Sequence, residues 1–255
     1  MIPATDEEVG VTVTREEKAT RDGAVTEAAG LARLVDFIEP ELDLEDVVLE
    51  VGAGTGRISR AIAGRVRHVT ALDRSWEALR RGKREADQDA IMNVTFARGD
   101  AADLSFADRS FTLLISRFGL HREEDPATVL RELVRVSRPG AGLVIADLVL
   151  DAELGGEPDR LLRLRDPGHR ALLGAERIAE LITEAGADVR RAERFDLIRP
   201  VDAWLADAPA EAAERIRAEL RAELDGGPAT GLRPVLSADE LCVTLPVAHL
   251  GAVAS

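Results

Sequence analysis

Val-Val-Leu-Glu-Val-Gly-Ala-Gly-Thr-Gly-Arg-Ile-Ser, residues 47–59, is the stretch whose reading decides the fold. An apolar, β-branched run contains an acid near its end, glycines follow at alternating positions, and an amphipathic pattern then begins. The spacing predicts a strand, a tight turn and the start of a helix. Gly52, Gly54 and Gly56 carry no Cβ, tolerate positive φ and let a ligand approach the backbone. Such a turn presents N–H groups and a helix N-terminus, which favour a negatively charged group. Arg57 stands where the dinucleotide fingerprint Gly-x-Gly-x-x-Gly places its third glycine, so the spacing is Gly-x-Gly-x-Gly instead. Glu50, two residues before Gly52, suits a ligand with an ammonium group better than a pyrophosphate. The plainer reading of the same triplet is a strand–helix turn that needs glycine for steric reasons alone.

Working outward, Leu31, Leu34, Val35 and Ile38 mark one face of a helix that Pro40 ends. His68 to Asp73 reads as a second strand, and Ser75 as the cap of a helix whose basic run, Arg80 to Arg84, is a solvated face. Asn93 to Asp100 and Phe111 to Phe118 read as further strands. Asp125-Pro126 opens a helix that Arg138-Pro139-Gly140 stops, and Gly142 to Leu150 is a fifth strand. Apolar runs of this kind fit strands buried on both faces. The alternation predicts an α/β fold with a doubly wound, mostly parallel sheet, whose ligands bind at the carboxyl ends of the strands. Glu50, Asp73 and Asp100 all fall at those ends.

After Leu150 the rhythm breaks. A long connection runs to Gly174, then a helix over Glu176 to Ala185, a strand over Ala187 to Ile198, a helical insertion over Val201 to Gly226 and a last strand over Leu241 to Val253. The total is seven strands. Residues 1–40 are expected to form an arm and helix that act as a lid, 41–150 the ligand-binding core, and 151–255 the rest of the same domain.

Composition narrows the function. A chain of 255 residues with 45% hydrophobic content supports a sizeable core. Aromatic residues make up only 3%, with no tyrosine, so a substrate pocket must be mostly aliphatic. The net charge of -14 argues against nucleic acid and against an anionic membrane surface. Cys242 is the single cysteine, which excludes a disulfide within the chain and fits a cytoplasmic location. The amino end lacks the regions of a signal peptide, and no apolar run approaches the ~20 residues of a membrane span. No metal site is expected, and the oligomeric state is left open, with a homodimer as one option.

The residues from Leu31 to Val149 resemble the class I S-adenosylmethionine-dependent methyltransferases. Glu50, Gly52, Ala53, Gly54 and Gly56 match that family's glycine motif; Asp73 matches the acid that accepts from the ribose hydroxyls, and Asp100 with Ala101 the pair that reads adenine. Phe111 to His121, including Ser116, looks like the fourth-strand motif, and Leu133 to Gly140 like the stretch that follows it. Arg165 to His169, Asp202 to Leu205 and the last strand are similar to the small-molecule branch related to ubiquinone/menaquinone methyltransferases. The resemblance implies the seven-stranded Rossmann-like methyltransferase fold and S-adenosylmethionine as cofactor. Two features depart from the family: no aromatic residue precedes Phe37, and Arg74 occupies the place of an apolar residue that packs on adenine, where its aliphatic stem can do the same.

The resemblance implies methyl transfer to a small-molecule acceptor through oxygen, nitrogen or carbon. An acceptor hydroxyl or acidic carbon also needs a base. Of the four histidines, His121 follows the fourth strand and His169 lies in the long connection over the cleft, so both are candidate catalytic residues. Each also reads as a pocket-shaping hydrogen-bonding side chain. Asp166 either orients His169 or caps a turn; the cap is favoured. Alternatives are the same fold used for cyclisation, isomerisation or decarboxylation, a non-catalytic binding protein, and a nicotinamide dehydrogenase, which Arg57 disfavours.

Overall fold

The structure is a computed structural model that describes residues 25–151 and 155–255. The first part of the arm and helix expected over residues 1–40, up to residue 24, lies outside them. Nine strands form one sheet among the described residues. They are β1 (Val25–Thr26), β2 (Val47–Val51), β3 (His68–Asp73), β4 (Val94–Arg98), β5 (Phe111–Arg117), β6 (Ser137–Leu148), β7 (Ala187–Pro200), β8 (Val235–Ser237) and β9 (Glu240–Ala254). The seven expected strands run in the order β4-β3-β2-β5-β6-β9-β7, all parallel except β9. The two-residue β1 beside β7 and the three-residue β8 beside β9 are additions with no signal in the sequence pattern.

The central strands are buried on both faces, and the period of two sends alternate side chains to opposite layers. Leu49, Leu114 and Ile145 enter one apolar cluster; Val48, Leu113 and Val144 enter the other. The first layer is covered by α4 (Pro126–Val136) and α6 (Ala175–Glu184), the second by α1 (Glu27–Ile38) and α2 (Arg57–Ile62). The caps are the ones the side chains dictate. Ser75 accepts from Ala78 N–H at the start of α3 (Trp76–Gln88), and Asp125 from Thr128 N–H at the start of α4, each at 3.2 Å. The Arg138-Pro139-Gly140 stretch does more than stop α4. It already belongs to β6, which departs directly from the helix and shifts register on β5 between Phe111 and Leu113.

β7 and β9 run on past the end of β6. The β6 pairing stops at Leu148 opposite Val247, whereas β7 and β9 stay paired to Pro200 opposite Cys242. This two-stranded ribbon projects beyond the carboxyl end of β6. It carries α5 (Pro158–Arg165), α7 (Val201–Trp204) and α8 (Ala210–Leu224) in a third apolar cluster built on Leu162, Trp204, Ile216 and Leu245. The helical insertion thus becomes a cap on the side where ligands bind. No helix of the described residues is long and apolar enough to cross a membrane.

Candidate active site

The glycine turn follows β2, with Gly52, Gly54 and Gly56 at φ of +63°, +56° and +67°. The three do different jobs. A Cβ on Gly54 would meet nothing within 4 Å, so that backbone lies open to a ligand. A Cβ on Gly56 would sit 2.8 Å from the Phe96 ring, so this glycine is required by packing. Ala53 N–H donates to the Leu72 carbonyl at 3.0 Å, and Gly56 N–H to the Ala53 carbonyl at 2.8 Å, which holds the turn against β3.

A crevice of about 760 Å³ opens at this turn, within the usual range for ligand pockets. Glu50, Gly52, Ala53 and Gly54 form one wall; Asp73, Arg74 and Ala101 belong to the opposite side. Asp73 ties the two together, its carboxylate accepting from Gly54 N–H and Ser75 N–H, each at 2.7 Å. Glu50 is 2% exposed and accepts from Ser59 N–H at 2.8 Å and Ser59 Oγ–H at 2.5 Å. Burial outweighs those bonds and pushes its carboxyl up to about 7. Arg117, at the end of β5, also lines the crevice and works in the other direction on Glu50.

Three expected residues stand back from the crevice walls. Gly56 is turned to Phe96, as above. Ser116 is buried beneath Gly119, whose Cβ would lie 3.1 Å from the Ser116 hydroxyl. Asp100 is half-exposed and engaged by Arg74 at 2.6 Å and by Ala102 N–H at 2.9 Å. Arg74 reaches Glu123 as well, at 2.9 Å. The hydrogen bond from Arg74 holds the Asp100 carboxyl below its ordinary range. Both bonds fall on Oδ1, and at this position Gly99 and Ala101 line the crevice.

A second cavity of about 170 Å³ adjoins the first, the two sharing Phe118 and Arg122. Phe118 has φ of +53°, a strained conformation for a bulky residue, directly after β5 ends at Arg117. His121 and His169 both line this cavity, their ring centroids 5.4 Å apart. His121 Nδ1 lies 2.5 Å from Asp147, which is 1% exposed and also accepts from Leu120 N–H and Leu148 N–H at 2.7 Å each. His169 Nε2 lies 2.6 Å from Asp159, and burial lowers its pKa, favouring the neutral ring. Asp166 leaves His169 to Asp159. It caps its turn by accepting from Gly168 N–H at 2.9 Å and pairs with Arg122 at 2.8 Å. His249 is held by Glu193 at 2.9 Å and packs edge-on to Phe37 and Phe195, away from both cavities; burial pushes it down to about 4.

Sequence reasoning passed over Asp147, although it is the one acid inside the apolar run of β6. It also passed over Arg117 as a crevice residue and over Trp204, which is buried and still lines the second cavity.

Fold and site together define a class: an open α/β sheet with an acid ahead of a Gly-x-Gly-x-Gly turn and a second acid closing a nucleoside-sized crevice. A family model described as a methyltransferase domain matches residues 48–140. A demethylmenaquinone methyltransferase from Renibacterium salmoninarum is 41% identical over 100 residues, 39% of this chain and 40% of that protein. An uncharacterized protein, YafE, from Escherichia coli K12 is 30% identical over 161 residues, 61% of this chain and 76% of that protein. The YcgJ protein of Bacillus subtilis has the same fold, with a TM-score of 0.76 at 21% identity over 89% of this chain and 98% of its own. The chain therefore belongs to the class I S-adenosylmethionine-dependent methyltransferases, among those related to the quinone methyltransferases. It spans about two fifths of the length of the demethylmenaquinone methyltransferases it matches.

Proposed function

We propose that the protein transfers a methyl group from S-adenosylmethionine to a small-molecule acceptor held in the second cavity. The observation that carries this reading is the adjacency of two unlike cavities, one built on the glycine turn and the other on two histidine–aspartate pairs, with Phe118 common to both. The crevice residues fit the cofactor. Gly54 leaves room for close approach, Asp73 presents an acceptor-only carboxylate that suits a vicinal diol, and Glu50 with Arg117 offers charges of both signs to an amino-acid end.

When bound, the cofactor supplies a methyl group already activated on a positively charged sulfur. The protein's task is to position the acceptor, exclude water and remove a proton. His121 is suited to the last. A carboxylate on Nδ1 fixes the tautomer with its proton on that nitrogen, which leaves the Nε2 lone pair as the base. Buried Asp147 then stabilises the imidazolium that forms. His169, its protonated form disfavoured by burial and its ring held by Asp159, shapes the wall beside it.

The reading is tested by calorimetric titration with S-adenosylhomocysteine and S-adenosylmethionine, followed by turnover with an acceptor panel. Binding of both and formation of one S-adenosylhomocysteine per methylated product are expected. Absence of binding at millimolar concentrations would overturn the reading.

A further inference from the structure

Three arginines meet at the second cavity of a strongly acidic protein. Arg122, Arg165 and Arg199 line it with His121 and His169; among the described residues Asp166 pairs with Arg122, Asp147 and Asp159 hold the two histidines, and Asp207 acts on Arg165. The three arginines come from three places: the turn after β5, the end of α5 and the end of β7. The ribbon puts Arg199 there by its period of two. Leu197 and Arg199 share a face of β7, and both line the cavity beside Leu245 of β9. Arg165 is half-buried, donates through Nε to the Trp204 carbonyl at 2.8 Å and lies over the Trp204 ring at 5.0 Å from its centroid. Burial, and then neighbouring Arg199, disfavour its charge. Clustered guanidinium groups in a partly closed space call for an anion, and the planar guanidinium fork matches a carboxylate. The rest of the wall is apolar, with Leu162, Leu197, Leu245 and the Phe118 and Trp204 rings. At about 170 Å³ the space admits a ring-sized body.

We propose that the acceptor is a small carboxylic acid with a ring-sized apolar body, its carboxylate docked on Arg165 and Arg199 and its reactive group turned to His121. This rests on the methyl-transfer reading and adds the substrate class.

The test is calorimetric titration of the full chain with sodium benzoate, benzamide and inorganic phosphate, each run with and without saturating S-adenosylhomocysteine. Benzoate is expected to bind at least about tenfold more tightly than the neutral benzamide and than phosphate. Arg199→Gln and Arg165→Gln should each weaken benzoate by at least about tenfold with S-adenosylhomocysteine affinity unchanged. Arg165 also holds the Trp204 carbonyl, so Arg199→Gln is the variant that separates charge from folding. Benzamide or phosphate binding as well as benzoate, benzoate affinity indifferent to Arg199→Gln, or no benzoate binding at about 10 mM would each overturn the proposal. Failure of S-adenosylhomocysteine alone, with benzoate still selected in its absence, would sink the cofactor reading and leave the anion site standing.

Discussion

Glu50 has its carboxyl buried with Ser59 as its hydrogen-bond donor, and its position has consequences for both stability and binding. Its pKa is 4.5 unperturbed and about 7 in the fold, so between those values the folded state binds the extra proton. Stability from this group therefore falls as pH rises through the window, and the loss is complete above about 7. Glu50→Gln should stabilise the cofactor-free protein relative to the parent, the gap opening from pH 5 to 8 toward about 3 kcal/mol in urea denaturation. Binding moves the opposite way. A cationic ligand favours the ionised carboxylate, so cofactor affinity should rise with pH across the same range with proton release, and Glu50→Gln should abolish that dependence. Asp73 joins the two sides of the crevice, and Asp73→Ala should weaken S-adenosylhomocysteine by roughly 10–100-fold, the worth of charge-assisted hydrogen bonds. His121→Asn should lower kcat by about 10²–10⁴-fold with cofactor affinity retained. Asp147→Asn should lower it too and displace the pH profile, as a positioning residue does. Unchanged kcat in both would remove His121 as the base. At Asp100 the sequence is legible only in part. Its place at a strand end is legible, but its engagement depends on Arg74, 26 residues away, and no local pattern encodes that contact.

At the scale of elements, α3 and the glycine turn form one unit. A Cβ on Gly82 would come 2.2 Å from the Thr55 carbonyl oxygen and 2.7 Å from the Phe96 ring, so the helix lies directly on the turn. Gly82→Ala should force them apart, destabilise the protein by about 1–3 kcal/mol in denaturant melts and weaken cofactor binding without touching a ligand contact. Stability and affinity both unchanged would contradict this packing account. In the sequence Gly82 is hidden inside a basic run that reads as a solvated face. The strands were legible because apolar runs ending in acids are local signals, and Ser75 and Asp125 marked their helices for the same reason. The projecting ribbon was not. Its length depends on β7 and β9 pairing across a 39-residue excursion from Pro200 to Glu240, and the small β8 forms only because β9 offers it an edge.

At the scale of the molecule, the sheet supplies the crevice proposed for the cofactor from its strand ends, and the ribbon with its helices supplies the second cavity. The first was readable because Glu50, Gly54 and Asp73 lie within 24 residues of one another. The second was only half readable. His121 and His169 stood out as rare residues, but Arg122, Arg165 and Arg199 are ordinary surface types in a chain with 33 basic residues, and only folding brings them together. The net charge of -14 speaks against polyanionic partners at a distance, while this cavity gathers three guanidinium groups locally. The most direct measurement is a crystal structure of the protein with S-adenosylhomocysteine. The account predicts the nucleoside in the crevice, its ribose hydroxyls on Asp73 and its sulfur directed to Phe118 and the second cavity. Density for the ligand anywhere else, or a sulfur pointing away from that cavity, would contradict it.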